Sequence, residues 1–307
     1  MRRFAWTLIV ILLLLLVAAA SIGTIIGPGI LHPMNLNPDR QQQTAEMLAR
    51  TGARKQDFEV HADDGVTLRG WKVRPAVANG DWVLLFHGVS DNRTGVLGHA
   101  EFLLRHDYSV VMMDSRAHGQ SGGDMATYGW KERDDTRAIV DALYAGESVR
   151  HLYALGVSMG AAIALQSAAV EPRIDAVVAE DPFANLREVT YDYAGLEFSP
   201  LLGKTLFRPA SLAAMYEVKK TGGFDPGDVS PENAVSARAF PVLLICGTED
   251  HRIPCRHAEA IYKMAIGPKE LGIAKGAGHA SALGHDPQEY EKRVIGFFEK
   301  YPAGKQN

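Results

Sequence analysis

The sequence predicts an α/β fold, in which a mostly parallel central sheet carries helices on both faces. Short apolar runs alternate along the chain with stretches long enough for a helix, and this alternation is typical of parallel strands joined by crossover helices. The runs are also apolar throughout, as expected of strands buried on both faces. The predicted strands of this sheet are residues 82–86, 109–114, 152–157, 176–179 and 242–246.

An antiparallel hairpin precedes this alternation. Residues 58–61 and 66–73 are strand-like and flank Ala62-Asp63-Asp64-Gly65. The Asp-Gly pair in this segment is typical of a tight hairpin turn. The helices expected to cover the sheet occupy residues 94–106, 130–146, 159–170, 256–266 and 287–301.

The N-terminus predicts a membrane anchor. Arg2 and Arg3 precede residues 4–26, which contain no charged residue and would span about 34 Å as a helix, enough to cross a bilayer. Ala18-Ala19-Ala20 offers a signal-peptide cleavage site as an alternative, and a core helix of a cytosolic protein is a third. With either an anchor or a signal peptide, the arginines stay in the cytoplasm and the domain that follows lies outside it.

The chain therefore divides into three parts. Residues 1–27 form the transmembrane anchor or signal peptide, residues 28–56 a linker with a short helix, and residues 57–301 one globular domain. Residues 182–240 separate two predicted strands by more than a single crossover requires, which predicts a small lid insertion. Its apolar and aromatic side chains, expected to close over an acyl pocket, are Phe183, Tyr191, Tyr193, Phe198, Leu201, Leu202, Phe207 and Tyr216.

A nucleophile motif lies at the third predicted strand of the parallel sheet. Gly156-Val157-Ser158-Met159-Gly160 stands between an apolar strand and an alanine-rich helix. In such a turn the serine takes a strained backbone conformation, and side chains at the two glycines would collide with the neighbouring strand and helix. The N-terminus of the helix that follows points free N–H groups at the position of a developing oxyanion.

A serine hydroxyl needs a base and an orienting carboxylate to become a nucleophile. Asp250 follows the predicted strand 242–246, and His279 stands in the glycine-rich loop 276–279, so the order is serine, acid, histidine. Asp181, which follows another strand, is the alternative acid. The alternative bases are His251, His257 and His285.

Several motifs together resemble the α/β-hydrolase superfamily, and in particular its serine esterase and lipase-like branch with the membrane-anchored Bem46-type proteins. Over residues 57–301 these motifs are Phe86-His87-Gly88-Val89, Asp114-Ser115-Arg116-Ala117-His118-Gly119-Gln120-Ser121, the Ser158 motif, Gly247-Thr248-Glu249-Asp250 and Gly278-His279. One departure is Ala117, where the family often has glycine.

The resemblance implies a role for each matching position. Ser158 would be the nucleophile, His279 the general base and then acid, and Asp250 the orienting acid. The backbone N–H groups of Val89 and Met159 would form the oxyanion hole. We interpret His87, Asp114 and His118 as groups that brace the loops under the site, and we expect neither a metal nor an organic cofactor.

Composition excludes one class of partner. The net charge of −4, without a basic run beyond Arg2-Arg3, argues against nucleic acid. The two cysteines match no zinc or redox spacing, so Cys246 is interpreted as a small core residue, and a disulfide with Cys255 would need an oxidising compartment.

The expected reaction is hydrolysis of a small or lipid-like carboxylic ester or thioester. A serine peptidase or amidase is the alternative, with Glu180, Asp181 or Glu197 to bind a substrate amine. A non-catalytic binding protein on the same fold is a third hypothesis.

Overall fold

The computed structural model of the chain describes residues 2–196 and 200–302. Within these residues eight strands form one sheet. In chain order they are β1 (Arg54–His61), β2 (Thr67–Arg74), β3 (Trp82–Phe86), β4 (Ser109–Met113), β5 (Leu152–Val157), β6 (Ala176–Glu180), β7 (Val242–Gly247) and β8 (Lys269–Ala274).

The strand order in the sheet is β1-β2-β4-β3-β5-β6-β7-β8. The hairpin β1–β2 is antiparallel, β2 pairs antiparallel with β4, and all later pairs are parallel. Val157 pairs with Glu180, and Glu180 pairs with Ile245. The residues that follow β5, β6 and β7 therefore meet at one edge of the sheet, where open α/β sheets bind their ligands.

The described helices cover both faces of the sheet. In chain order they are α1 (Arg2–Leu31), α2 (Gln41–Thr51), α3 (Leu97–Arg105), α4 (Glu132–Gly146), α5 (Met159–Val170), α6 (Leu186–Gly195), α7 (Pro200–Lys204), α8 (Arg208–Gly222), α9 (Pro231–Ala237), α10 (Arg256–Met264), α11 (Ala282–His285) and α12 (Pro287–Lys300). Helix α5 has the predicted bounds. The helix predicted over residues 94–106 is observed as a 3₁₀ turn, Arg93–Val96, followed by α3. The Asn92 side chain caps the 3₁₀ turn by accepting a hydrogen bond from the N–H of Thr94.

Alternate residues of each strand face the two sides of the sheet. On one side, Leu84 and Ala154 pack in a core with Ile163 of α5. On the other side, Val83 and Leu155 pack with Phe298 of α12. Both faces are apolar and covered by helices, so the predicted α/β architecture with a mostly parallel central sheet is confirmed.

Helices α6 to α9 form the insertion between β6 and β7, which we call the lid. Leu186, Met215 and Val218 of the lid are buried in a third core cluster, together with Ile253. Leu31, the last residue of α1, is fully buried in the same cluster. The end of the N-terminal helix is therefore part of the folded domain.

Helix α1 is, among the described residues, the one that is long and apolar enough to cross a membrane. It runs on to Leu31, into the segment predicted as a linker. Pro28 lies inside this helix. The last two carbonyl groups of α1 accept hydrogen bonds from the globular domain: the Tyr128 hydroxyl donates to Ile30 O at 2.7 Å, and Ala126 N donates to Leu31 O at 2.8 Å.

Cys246 lies in the core, as interpreted from the sequence, and it forms the disulfide with Cys255 that the sequence left open, with the two Cα atoms 5.3 Å apart. Cys246 is buried in β7, and the chain turns back after Asp250 so that Cys255 reaches the same strand. The disulfide thus closes the loop that carries Asp250.

Candidate active site

The turn between β5 and α5 presents Ser158 in a strained conformation, with φ 58° and ψ −117°. A Cβ atom at Gly156 would lie 2.1 Å from Gly160 O, and one at Gly160 would lie 2.2 Å from Phe86 O in β3. Both positions therefore require glycine, as predicted. The N–H of Ser158 donates to Glu180 O at 2.8 Å, which ties the turn to the neighbouring strand.

Ser158, His279 and Asp250 form a continuous hydrogen-bonded chain. The Oγ of Ser158 lies 2.9 Å from Nε2 of His279, and Nδ1 of His279 lies 2.7 Å from Oδ2 of Asp250. A carboxylate only accepts hydrogen bonds, so Nδ1 carries the proton and Nε2 accepts from the serine hydroxyl. This tautomer is the one that a general base on Ser158 needs.

Backbone amides fix the carboxylate of Asp250. Its Oδ1 accepts from the N–H groups of Arg252 at 2.8 Å and Ile253 at 2.9 Å, which leaves Oδ2 for the imidazole. The side chain is fully buried. Asp250 is thereby oriented toward His279 by the turn that follows β7.

The alternative acid, Asp181, lies close by but has other partners. Its Oδ2 is 4.0 Å from Nδ1 of His279 and accepts from Ala280 N at 2.7 Å, while its Oδ1 accepts from Gly247 N at 3.1 Å. Burial, with the nearby charges of Glu180 and Asp250, raises the pKa of Asp181 to about 7.

The alternative bases have partners away from Ser158. Nε2 of His257 lies 2.7 Å from Asp192 Oδ2 in the lid, and its Nδ1 accepts from Ala184 N at 3.2 Å. The side chain of His251 is 81% exposed to solvent. The ring of His285 lies against Gly276. The structure therefore brings His279 to Ser158 and none of these three.

Val89 and Met159, the predicted oxyanion residues, both line the cavity that contains Ser158. Gly88, which precedes Val89, lies beside Ser158: a Cβ atom at Gly88 would meet that of Ser158 at 3.7 Å, an ordinary contact distance. The N–H of Met159 is the first of α5, so no carbonyl within the helix accepts it. The oxyanion hole formed by Val89 and Met159 stays a prediction.

Two buried histidines brace the loop that carries Val89. Nε2 of His87 accepts from Ser115 N at 3.0 Å, and Nε2 of His118 accepts from Ser90 N at 3.1 Å. Burial and the proximity of His118 lower the pKa of His87 to about 4, so His87 is neutral and can accept at physiological pH. Both rings are thus structural acceptors, as interpreted from the sequence.

Asp114 holds the same region from the neighbouring loop. Its Oδ1 accepts from Arg93 N at 2.7 Å, and its Oδ2 accepts from Arg93 Nη2 at 2.8 Å and Gln120 N at 2.7 Å. Ala117, at the departure from the family motif, has φ 60°, a left-handed conformation that glycine adopts at lower cost. The departure lies in this bracing loop and not among the groups that contact Ser158.

The acidic residues considered for a substrate amine are not available for that role. Glu180 is fully buried and accepts from Tyr290 at 2.8 Å and Ala282 N at 3.0 Å, with His99 Nε2 3.1 Å away. Asp181 is equally buried and already accepts two backbone amides. Glu197 lies outside the described residues. The prediction of an amine site at Glu180 or Asp181 is therefore wrong.

A cavity of about 190 Å³ opens beside Ser158, and none of its lining residues in the described part of the chain is charged. Phe183 and Tyr193 line it, as the sequence predicted for lid aromatics. Leu201 and Tyr216 are instead 70% and 65% exposed on the outside of the lid, and Phe198 lies outside the described residues. The lining residues are Ile30, Val89, Tyr128, Ser158, Met159, Phe183, Leu186, Val189, Thr190, Tyr193 and Ile253.

Ile30 and Tyr128 were missed by sequence reasoning. Ile30 belongs to α1 and Tyr128 to the loop before α4, and no spacing relates either residue to the Ser158 motif. Their place in the cavity depends on how α1 packs on the domain, and the sequence carried no signal for this packing.

Asp181, Asp250 and His279 each place one potential ligand atom within 4.8 Å of the others, a spacing that a cation could use. Each carboxylate oxygen of the two aspartates, however, already accepts a backbone amide or contacts the imidazole. These hydrogen bonds account for the positions of the three side chains, and we assign the residues to the network around Ser158.

A sheet of this order with a strained serine on the β5–α5 turn defines an α/β-hydrolase. The family model for serine aminopeptidases of the S33 group matches residues 79–220. YqkD of Bacillus subtilis is 30% identical over 248 residues, covering 80% of this chain and 79% of YqkD. YfhR of Escherichia coli K12 is 25% identical over 250 residues, covering 79% and 80%.

Among solved structures, the Pyrococcus furiosus esterase Pf2001 superposes with a TM-score of 0.69 at 25% identity, covering 83% of this chain and 94% of the esterase. The chain belongs to the α/β-hydrolase superfamily, and these relationships support a hydrolase. The finer resemblance to Bem46-type proteins stays a prediction.

Proposed function

We propose that this chain is a serine hydrolase that cleaves carboxylic esters, with Ser158 as nucleophile, His279 as base and Asp250 as orienting acid. One observation carries the proposal: the hydrogen-bonded chain from Ser158 through His279 to Asp250 opens directly onto an uncharged cavity. The esterase relative with the same fold supports the reaction class.

In the first half of the reaction, Oγ of Ser158 attacks the ester carbonyl while Nε2 of His279 takes its proton. The N–H groups of Val89 and Met159 donate to the oxyanion of the tetrahedral intermediate. His279 then returns the proton to the leaving alcohol, which leaves an acyl group on Ser158.

In the second half, His279 takes a proton from water and the hydroxide attacks the acyl-enzyme. The same two N–H groups stabilise the second oxyanion, and the carboxylic acid leaves as Ser158 recovers its proton. A thioester passes through the same acyl-enzyme, with a thiol as the leaving group.

The uncharged cavity favours an apolar acyl chain over an amino acid with a free amine. Burial of each additional methylene group contributes about 0.8 kcal/mol, so kcat/KM should rise about fourfold per carbon until the cavity is full. We expect the maximum at roughly four to eight carbons.

A serine aminopeptidase is the second candidate, because the matching family model carries that description. Such an enzyme binds a free amine near the scissile bond. The described residues around Ser158 offer no unpartnered carboxylate for that purpose, since Glu180, Asp181 and Asp250 all have hydrogen-bond partners.

We further propose that α1 anchors the enzyme in a membrane with the hydrolase domain on the extracytoplasmic side, or that cleavage after Ala20 releases it. The two arginines before the apolar stretch support this orientation. The disulfide Cys246–Cys255 supports it independently, because disulfides persist mainly outside the cytoplasm.

A panel of p-nitrophenyl esters of increasing chain length, run beside aminoacyl amides, tests the reaction class. The expected profile rises with chain length and then falls, and Val189→Phe should move the maximum to shorter chains because Val189 lines the cavity. A profile that is flat with chain length, or turnover confined to aminoacyl amides, would overturn the esterase proposal.

A further inference from the structure

Helix α1 packs along the lid helix α8 through small residues. A Cβ atom at Gly23 would lie 2.0 Å from Ala210 O, and one at Gly27 would lie 2.8 Å from Ala214 O. Farther along, Leu31 lies against Gly222: a Cβ atom at Gly222 would lie 3.0 Å from Cδ1 of Leu31. The residue numbers of the contacting positions increase together in the two helices, so α1 and α8 run in the same direction in close contact.

This packing fixes the depth of the lid relative to a membrane that α1 spans. Gly23 precedes Leu31 by about 12 Å along the helix axis and belongs to the outer end of the apolar stretch 4–26. Because Ala210 lies beside Gly23, the start of α8 is held at the outer boundary of the bilayer.

The exposed side chains of α8 near this level combine apolar residues with Arg and Tyr. Leu212 is 48% exposed and Tyr216 65% exposed, and both follow Arg208 at four-residue intervals on one face of α8. Exposed apolar residues with Arg and Tyr are typical of interfacial segments. We call the following exposed residues the lid edge: Leu201, Leu206, Arg208, Leu212 and Tyr216.

The cavity beside Ser158 lies close to the same boundary. Ile30 lines the cavity together with Ser158, and Ile30 follows Ile26 by only four residues, or about 6 Å along α1. Tyr193, which also lines the cavity, is 44% exposed. The cavity therefore lies one helical turn from the last residue of the apolar stretch.

We propose that the lid edge lies in the outer surface of the membrane that α1 spans, and that the substrate is an acyl ester resident in that bilayer, whose chain enters the cavity past Ile30 and Tyr193. This inference rests on the proposed ester hydrolysis and on the proposed anchoring by α1. The exposed face of α8 is assigned to lipid because α8 packs against α1, and α1 itself exposes the apolar side chains of Ile22, Ile25 and Ile26.

A depth measurement tests the membrane contact without using activity. Both native cysteines are in a disulfide, so Leu212→Cys supplies the free thiol for a nitroxide label on the full-length chain in phosphatidylcholine and phosphatidylglycerol vesicles. We expect this label to be reached by oxygen in the lipid and shielded from a water-soluble nickel complex. The matched control is Val77→Cys, because Val77 is 75% exposed outside the lid and should show the reverse.

Access of the nickel complex to the Leu212→Cys label, as at Val77, would overturn the proposal. Shielding of the label from both reagents would also overturn it, since the lid edge would then be covered by protein instead of lipid.

A kinetic comparison tests the substrate class. The variant Leu206→Ser/Leu212→Ser/Tyr216→Ser should lose about tenfold in turnover of a fluorogenic long-chain ester embedded in the vesicles, a factor that corresponds to about 1.4 kcal/mol of membrane contact. Hydrolysis of soluble p-nitrophenyl butyrate should stay within about twofold. The control Val77→Ser/Met264→Ser/Ile266→Ser replaces exposed apolar residues elsewhere and should change neither rate.

Equal loss on both esters, or no loss on the embedded ester, would overturn the proposed route from the bilayer. If the wild-type chain hydrolyses neither ester, the proposed function itself fails, and the label at Leu212 still decides whether the lid edge lies in lipid.

The contact between α1 and α8 can be tested in the same assay. Gly23→Ala should lower turnover of the embedded ester because the new Cβ atom would collide with the backbone of α8. Gly29→Ala is the control: a Cβ atom at Gly29 has no neighbour within 4 Å, so turnover of the embedded ester should stay unchanged. Equal behaviour of the two variants would show that this contact does not align the lid with the membrane.

Discussion

Asp181 lies 4.0 Å from Nδ1 of His279, yet both of its carboxylate oxygens accept backbone N–H groups, one of them from Ala280. Asp250 contacts the same imidazole nitrogen at 2.7 Å. Two buried aspartates thus flank one histidine with different tasks. In the proposed mechanism Asp250 orients the imidazole, while Asp181 accepts a hydrogen bond from Ala280 in the loop that carries the imidazole.

The first prediction separates these tasks. Asp250→Asn should lower kcat by roughly ten-thousandfold, because an amide in this position favours the wrong tautomer of His279. Asp181→Asn should cost far less, since it leaves the contact between Asp250 and His279 in place. Steady-state kinetics on a soluble ester measures both variants. A crippled Asp181→Asn beside a nearly normal Asp250→Asn would reverse the assignment.

The second prediction concerns pH and stability. Burial first, and then the charges of Glu180 and Asp250, raise the pKa of Asp181 to about 7. Between about pH 4 and pH 7 the unfolded chain has lost this proton while the folded chain keeps it, so the contribution of Asp181 to stability falls as pH rises. The substitution Asp181→Asn removes this trend, because an amide side chain does not titrate.

Thermal midpoints of the wild type and Asp181→Asn at pH 5 and pH 7.5 measure the effect. The variant should be less stable than the wild type at pH 5, because both oxygens of the protonated carboxyl group can still accept the N–H groups of Gly247 and Ala280, whereas the amide nitrogen of asparagine cannot accept. Its deficit should shrink at pH 7.5. A deficit that grows with pH would show that Asp181 is ionised in the folded protein.

The third prediction concerns the disulfide that closes the Asp250 loop. Cys246→Ala/Cys255→Ala should lower the free energy of unfolding by about 2 to 3 kcal/mol, the loop-closure entropy of a link of this length. Thermal unfolding with and without reductant measures it. Reductant should bring the wild type to the stability of the double variant and leave the variant unchanged. Two titratable thiols in the protein isolated from the membrane would contradict the disulfide.

The fourth prediction concerns the Ser158 turn. Gly160→Ala places a Cβ atom 2.2 Å from Phe86 O and should destabilise the fold by about 1 to 3 kcal/mol while displacing Ser158. Gly296→Ala is the matched control, because it meets nothing within 4 Å and lies in α12. Activity and thermal midpoint should fall for the first variant alone. Normal activity of Gly160→Ala would show that the close approach to β3 is not required.

Much of this architecture could be predicted because local patterns express it. The apolar run 152–157 predicted the strand before Ser158, and the alanine-rich run 159–170 predicted the helix after it. Both elements are observed with these bounds. The order of Ser158, Asp250 and His279 follows the carboxyl ends of strands, which parallel topology brings to one edge. Such features depend on residues close in sequence or on a general rule of sheet geometry.

The features that were missed depend on packing between distant segments. The pairing of Cys246 with Cys255 requires the turn after Asp250 to return the chain to within 5.3 Å, which no spacing rule states. Ile30 reaches the cavity because Gly23 and Gly27 allow α1 to lie against α8. The Asp-Gly turn predicted the hairpin β1–β2, but no comparable local signal marks a contact between the N-terminal helix and the lid.

Covalent labelling with a fluorophosphonate shows whether Ser158 is the nucleophile, because the reagent forms a bond with an activated serine. The wild-type chain should take up one label on Ser158, identified by peptide mass spectrometry. Ser158→Ala should take up none, keep the thermal midpoint of the wild type within a few degrees, and lose up to about a millionfold in kcat. Undiminished labelling of a folded Ser158→Ala chain would contradict the assignment of Ser158 and place the nucleophile elsewhere.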